Sequence, residues 1–339
     1  MLGVTLTEYD RQVYEEQLKD FLPEQIIDMH AHIWQKSFME KAEMHRGGAA
    51  WPDRVAADCT YEDLCSIYAH LFPGKSVRPV LMGWPLANLK KTNDYIESLA
   101  VTHRLPAFYC TAYNTPLEQI ERAMTEQGFC GIKPYLSQSP PYIPNNEIRI
   151  FDFLPPEQLA LLDRLGGVVL LHISRPERLR DPVNLAQLME IEEKYQNLHL
   201  IVAHIGRAYA TEDIGKAFDT LRHTKNMVFD FSANVLDEAM DTCLEAVGPQ
   251  RLLFGSDLPI TKMRMYRITE NGVYFNVVPR GLYGDVSGDA NMRETDETQI
   301  TTFLYEELCA FRRCAIKIGL TQSEVNDVMY RNASRLFAF

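Results

Sequence analysis

Short apolar runs rich in Val, Ile, Phe and Tyr recur along the chain, separated by longer segments in which apolar residues return with helical period. The runs that read as strands are Gln25 to His30, Ser76 to Met82, Ala107 to Thr111, Gly128 to Lys133, Val168 to His172, Leu198 to His204, Met227 to Phe231 and Arg251 to Ser256. Helical period marks Tyr61 to Leu71, Leu89 to His103, Leu117 to Gln127, Pro156 to Leu165, Val183 to Tyr195, Asp213 to Arg222 and Val235 to Ala246. Strands alternating with helices indicate βα units laid into a parallel sheet. Eight such strands predict an α/β protein built as a (β/α)8 TIM barrel. An open, doubly wound sheet is the rival, but it takes nucleotides on a glycine-rich first turn, and no G-x-G-x-x-G follows any of these runs.

The start of the chain is charged and patterned as an amphipathic helix, so residues 1–24 are expected as an N-terminal helical extension of a single barrel domain spanning 1–339. Two insertions stand out. One runs from Gln35 to Asp58 after the first strand. The other runs from Leu258 to Thr295 after the eighth, as a lid-like insertion over 258–296, with Asn271-Gly272 signalling a hairpin within Arg267 to Val278. Both fall at the C-terminal mouth of a barrel, where βα loops form pockets and lids; contact with a second copy in a homo-oligomer is the alternative role.

Composition narrows the partners. The 339 residues are 46% hydrophobic, enough to bury a large core. Lysine plus arginine number 34 against 46 acidic residues, and the net charge of -12 would repel nucleic-acid phosphates and anionic lipid headgroups. Neither nucleic acid nor membrane is therefore an expected partner, and a small molecule is. The start lacks the apolar run of a signal peptide, and no run approaches the roughly 20 residues needed to cross a bilayer, so a soluble cytoplasmic protein is expected. The 7 cysteines contain no C-x-x-C pair and read as reduced and structural.

Against this apolar background, polar residues at strand ends need a reason. His30 and His32 lie two apart on the first strand, where alternation gives them a shared face opposite Met29 and Ala31. Imidazole is a good ligand for zinc and similar ions, although H-x-H alone is a weak signal and two satisfied core histidines would look the same. His172 closes VVLLH and His204 closes LIVAH, the fifth and sixth strands, and Asp257 follows the eighth in GSDLP. At a barrel's C-terminal end such residues converge on one mouth. Lys133 closes the fourth strand, with roles as salt-bridge partner, substrate contact or carboxylated bridge between two metals left open.

These residues resemble the amidohydrolase superfamily, and within it the amidohydrolase-related branch of metal-dependent barrel hydrolases and decarboxylases. The resemblance spans nearly the whole chain and rests on D-x-H-x-H at Asp28, His30 and His32, H-x-G at His204 to Gly206, GSDLP at Gly255 to Pro259, and NASRLF at Asn332 to Phe337. It implies His30, His32, His172 and Asp257 as metal ligands, Asp257 also as acid/base, and His204 as a residue facing substrate or activated water. A divalent metal is implied, zinc before manganese, and one ion is preferred over two. Some decarboxylases of the branch replace the first histidine of H-x-H by glutamate; His30 retains it, which favours hydrolysis. Arg207 departs from the branch, standing where a second glycine is common.

The implied reaction is attack of activated water on an amide, ester or lactone carbonyl, with Asp257 moving the proton. Alternatives are decarboxylation at the same site and a non-catalytic binding or assembly barrel. Arg175 and Arg207 read either as a clamp for a substrate carboxylate or as surface ion pairs. Asp28 reads either as an acceptor orienting an imidazole or as a buried structural carboxylate. Pocket walls are expected from Trp51 to Arg54, Trp84, Tyr135 to Tyr142 and the late insertion.

Overall fold

The computed structural model describes residues 4–39 and 55–337. Eight parallel strands follow in the expected order: β1 (Gln25–His32), β2 (Ser76–Met82), β3 (Phe108–Thr111), β4 (Gly131–Pro134), β5 (Val168–Leu171), β6 (His199–Val202), β7 (Val228–Asp230) and β8 (Leu252–Leu253). Consecutive strands pair from β3 through β8, and β1 pairs with β2. Two further sets of backbone contacts close the ring. Leu81 bridges to Ala107 beside β3; past β8, Met29 N–H donates to Phe254 O (3.1 Å) and Asp257 N–H to His30 O (2.7 Å). The chain is therefore a (β/α)8 barrel.

Strand alternation divides the core. Val168 and Leu170 of β5, Ile201 of β6 and Leu253 of β8 join Ile27, Met29, Val80, Met82 and Phe108 in the barrel interior. Their neighbours Val169, Leu171, Leu200, Val202 and Leu252 face outward and pack with Leu64, Ile67, Ile120, Leu159 and Leu188 of the surrounding helices. Strands buried on both faces read as continuous apolar runs, which is why these were visible in the sequence. The helices Tyr61–Leu71, Leu89–His103 and Pro156–Leu165 have the expected bounds. The segment expected as one helix over Asp213 to Arg222 is instead two short pieces, Thr211–Ile214 and Ala217–Leu221. Gly215 breaks it at φ 51°, where a Cβ would lie 2.7 Å from Arg180 Cβ.

At the N-terminus the helix Glu8–Val13 runs on through a wider turn, Tyr14–Leu18. Thr7 starts it with a reciprocal cap: its hydroxyl accepts from Asp10 N–H, and Asp10 accepts from Thr7 N–H. The late insertion folds as a small sheet over its own apolar layer. Strands β9 (Tyr266–Glu270) and β10 (Val273–Pro279) form the expected hairpin through Asn271 (φ 52°) and Gly272 (φ 76°), and β11 (Met292–Thr295) pairs parallel to β10. Met263, Met265, Val278, Met292 and Phe303 pack beneath it against Ala233 of the barrel. Residues 40–54 of the first insertion, with Trp51 to Arg54, lie outside the described residues. Among the described residues no helix is long and apolar enough to cross a membrane.

Candidate metal centre

A bulge in β1 sets the site. Asp28 pairs with Pro79 and Ala31 with Leu81, so β1 spends one more residue than β2 over the same stretch. The extra residue flips the facing: Met29 belongs to the barrel interior, and beyond the bulge His30 and His32 also turn inward while Ala31 joins the outer layer. Asp28 consequently points away from the imidazoles. Its Oδ1 accepts from the His30 (3.1 Å) and Ser256 (2.8 Å) amides, and its Oδ2 from the Ser256 hydroxyl and Tyr68 OH (2.7 Å). Burial pushes its carboxyl up to about 6. Of its two expected roles, the structure gives it the structural one, tying β1 to the turn after β8.

The imidazoles converge. The His30 ring centre lies 5.2 Å from that of His32, 5.8 Å from His172 and 4.8 Å from His204. Asp257 Oδ1 stands 3.2 Å from His32 Nε2 and 3.7 Å from His30 Nε2, and His172 and His204 face each other Nε2 to Nε2 at 2.6 Å. His30, His172 and His204 form one potential ligand trio and His30, His32 and Asp257 another, with donor atoms within 4.8 Å of one another in each.

Oxygen acceptors fix which ring nitrogens are bare. His30 Nδ1 faces Asp230 Oδ2 (3.0 Å), His32 Nδ1 faces the Gly83 carbonyl (2.9 Å), and His204 Nδ1 faces the Ser232 carbonyl (2.6 Å). Carboxylate and carbonyl oxygens only accept, so in His30 and His204 Nδ1 carries the proton and Nε2 presents a lone pair, while His32 faces an oxygen at each nitrogen, Asp257 Oδ1 standing 3.2 Å from its Nε2. Burial reinforces neutrality, pushing His30 down to about 4 and lowering His172 and His204 from their ordinary values. His30 Nε2 is fully buried and has no hydrogen-bond partner among the described residues. A buried lone pair is costly unless something accepts it. The donor set of neutral imidazoles and one carboxylate matches the preferences of zinc and similar ions, so the residues fit a metal.

Asp230 organises the support. Oδ1 accepts from the His204 amide (2.9 Å), the Ser232 amide (3.1 Å) and the Ser232 hydroxyl (2.5 Å), while Oδ2 holds His30. Burial alone would raise its carboxyl, but the charge and hydrogen bond of His30 outweigh that and hold it well below the ordinary carboxylate range. Gly255 permits the approach of β8, since a Cβ there would sit 2.5 Å from His30 Cβ. Four polypeptide turns at this mouth use left-handed backbone at non-glycine residues: Arg175 (φ 60°), His204 (φ 57°), Ala233 (φ 49°) and Asp257 (φ 55°). The segment His204 to Arg207 is left-handed throughout, and at its Gly206 a Cβ would crowd Leu179, at 2.4 Å from Cδ1 and 3.2 Å from Cβ.

The other sequence candidates divide. Lys133 is fully buried beneath the site, its Nζ 5.3 Å from the Tyr135 ring centre and without a hydrogen-bond partner among the described residues; burial lowers it to about 8, and Asp230 and Asp257 act against that. Trp84 sets its edge on His32 at 5.4 Å and stacks on Trp34 at 4.7 Å. Tyr135 donates its hydroxyl to the Gly83 carbonyl (2.6 Å), beside His32. Arg175 is committed to Asp181 at 2.9 Å, whereas among the described residues Arg207 donates only to the Ile173 carbonyl, at 3.3 Å. Asp230 escaped the sequence reading although MVFDF carries the signal used for the others, a charged residue ending an apolar strand. Arg178 and Arg267, described below, carried no such signal.

The family model described as Amidohydrolase matches residues 27–339. Solved structures share the fold. A probable 2-pyrone-4,6-dicarboxylic acid hydrolase of Acinetobacter baumannii, with citric acid bound, is 17% identical with a TM-score of 0.59, covering 93% of this chain and 99% of that one. An amidohydrolase of Burkholderia multivorans with bound zinc is 17% identical with a TM-score of 0.61, again covering 93% and 99%. A 2,6-dihydroxybenzoate decarboxylase from Rhizobium is 12% identical with a TM-score of 0.56, covering 94% and 99%. No curated protein matches the chain in sequence.

Proposed function

Because the chain belongs to the amidohydrolase family, we propose that it is a metal-dependent hydrolase opening an amide, ester or lactone bond of a small carboxylate-bearing substrate. His30, His32, His172 and Asp257 would hold one divalent ion, zinc before manganese. The observation that carries this reading is the buried, unpartnered Nε2 of His30 amid three further imidazoles and Asp257. The likenesses to a structure with bound zinc and to a probable dicarboxylic acid hydrolase agree with it.

An ion at these donors supplies, when bound, acidification of water towards a pKa of about 7 and polarisation of a carbonyl. This chain's residues do the rest. Asp230 keeps the His30 proton on Nδ1 and leaves its Nε2 free for an ion, and the Gly83 carbonyl orients the His32 ring through Nδ1. Asp257 Oδ1 takes the proton of the attacking water and returns it to the leaving group; its carboxyl is held below the ordinary value because the surrounding histidines, with His32 first, outweigh its burial. His204, its Nδ1 anchored on Ser232, offers its Nε2 lone pair as an acceptor to the attacking water.

The likeness to a decarboxylase keeps loss of carbon dioxide from the same site as the second reading. Protein purified without chelator is expected to contain about one zinc or manganese per chain, to lose turnover of a lactone, ester or amide panel on chelation, and to regain it with zinc. His30→Ala should abolish turnover at temperatures where the variant stays folded, and lower the melting temperature because buried Asp230 loses its partner. Sub-stoichiometric metal that no divalent ion restores would overturn both readings, and release of carbon dioxide without hydrolysis would select the second.

A further inference from the structure

Two guanidiniums meet over one pair of aromatic rings beside the candidate ligands. Arg178 lies 5.2 Å from the Tyr209 ring centre and 4.8 Å from that of Tyr274; Arg267, from β9, lies 4.4 Å and 4.9 Å from the same rings and 4.7 Å from Phe303. Tyr209 stands 5.3 Å from Tyr274 and 6.3 Å from the His204 ring, so the group adjoins the metal centre. Like charges that share two rings repel each other, and ring faces alone offset this only in part. Arg178 has its counter-ion, Asp213, at 2.5 Å, as Arg175 has Asp181. Arg267 and Arg207 have no carboxylate partner among the described ion pairs.

The Arg267 fork is nonetheless fixed. Its Nε donates to Asn276 Oδ1 (2.9 Å) and one terminal nitrogen to the Ala233 carbonyl (2.9 Å). Both acceptors are neutral, and the second terminal nitrogen makes no hydrogen bond among the described residues. Arg207 likewise spends a single arm, on the Ile173 carbonyl. Burial lowers the Arg267 pKa, while Tyr209, Tyr274 and Asp257 act against that, and no carboxylate pairs with it directly among the described residues. In a chain of net charge -12, a guanidinium held rigidly beside the candidate ligands without a carboxylate of its own is an arrangement suited to a planar anion.

We propose that Arg267, with Arg207, forms an anion subsite separate from the metal ligands, so that the substrate is a small dicarboxylate with one end at the metal centre and the other on Arg267. The late insertion thereby selects substrate: the hairpin delivers the guanidinium, and Tyr209 and Tyr274 hold it. The inference rests on the reading of the centre as a metal-dependent enzyme site and narrows its substrate class.

The test is calorimetric titration of the full chain, zinc-loaded and chelator-treated, with glutarate, adipate and benzene-1,3-dicarboxylate, each against its monocarboxylate counterpart. At least one dicarboxylate should bind zinc-loaded protein about tenfold or more tightly than its counterpart. Arg267→Met should remove that advantage, with Arg267→Lys keeping only part of it. No advantage for any dicarboxylate, or an advantage that survives Arg267→Met, overturns the proposal. Should Arg267→Met fail to fold, Arg267→Lys and Arg207→Met decide, and an undiminished advantage in both overturns it. Absence of metal-dependent turnover with the Arg267 effect intact would count against the metal reading and not against the subsite.

Discussion

Asp230 touches no candidate ligand atom, yet it holds the site in register through both its oxygens: one on the His30 ring, the other on the His204 amide and Ser232. Asparagine in its place keeps the shape but presents an amide where an ionised carboxylate now accepts, and it can offer an N–H to a ring nitrogen that already carries a proton. His30 would then be pressed towards the tautomer with its proton on Nε2, where a metal needs the lone pair. Asp230→Asn should therefore lower zinc affinity by about 10- to 100-fold, the range seen when a ligand's supporting carboxylate is lost. Competition with a chromophoric chelator measures this. Full affinity with a native circular-dichroism spectrum would show that Asp230 does not orient His30.

The elements around the mouth carry a conformational cost at the same positions that carry the chemistry. Arg207 adopts φ 58°, at the end of a left-handed segment, where glycine is unstrained and an L side chain costs about 1–2 kcal/mol. Glycine at this position would relieve strain; if Arg207 belongs to the proposed anion subsite, its guanidinium is the reason for an arginine there. Arg207→Gly should accordingly leave the melting temperature unchanged or raise it, while weakening dicarboxylate binding about tenfold. A drop in stability of more than about 1 kcal/mol would refute the conformational argument. The same elements show what a sequence can and cannot reveal. His172, His204 and Asp257 were legible because a polar group ending an apolar strand is unusual, and the barrel made those ends converge. The bulge in β1 was not legible: it inserts one residue with no Gly or Pro to mark it, so simple strand alternation puts Asp28 on the face of His30 when it lies opposite. Arg267 was equally hidden, because an arginine in an inserted hairpin has no apolar background to stand against. Only its packing against Tyr209, across the chain, shows where it points.

At the scale of the whole molecule, the first helix and the last insertion are tied together over the barrel by one carboxylate. Asp10 is fully buried and accepts from both terminal nitrogens of Arg264 (2.9 and 2.6 Å), from the Thr301 hydroxyl (2.7 Å) and from Thr7 (2.6 Å to the amide), while Arg264 also reaches the Ile300 and Thr5 carbonyls. Burial raises the Asp10 carboxyl, but the hydrogen bonds from Arg264, Thr301 and Thr7 outweigh it and hold the group below its ordinary value of 3.8. A carboxylate depressed in the folded state contributes stability that is fully present above its unfolded value and is lost as pH falls through the lower, folded one. The contribution should thus be intact at pH 7 and fade below about pH 4. Asp10→Asn removes the charge and leaves Arg264 partly buried without its partner, for which about 3 kcal/mol is expected, the low end of the range because Arg264 retains some solvent. Urea unfolding of wild type and Asp10→Asn at pH 7 and pH 3.5 measures both quantities. The stability difference should be near its full size at neutral pH and shrink at the acid value. A difference that stays constant across that interval would mean that the clamp acts through shape and not through charge, and that the insertion bearing Arg267 is held over the mouth by its apolar layer alone.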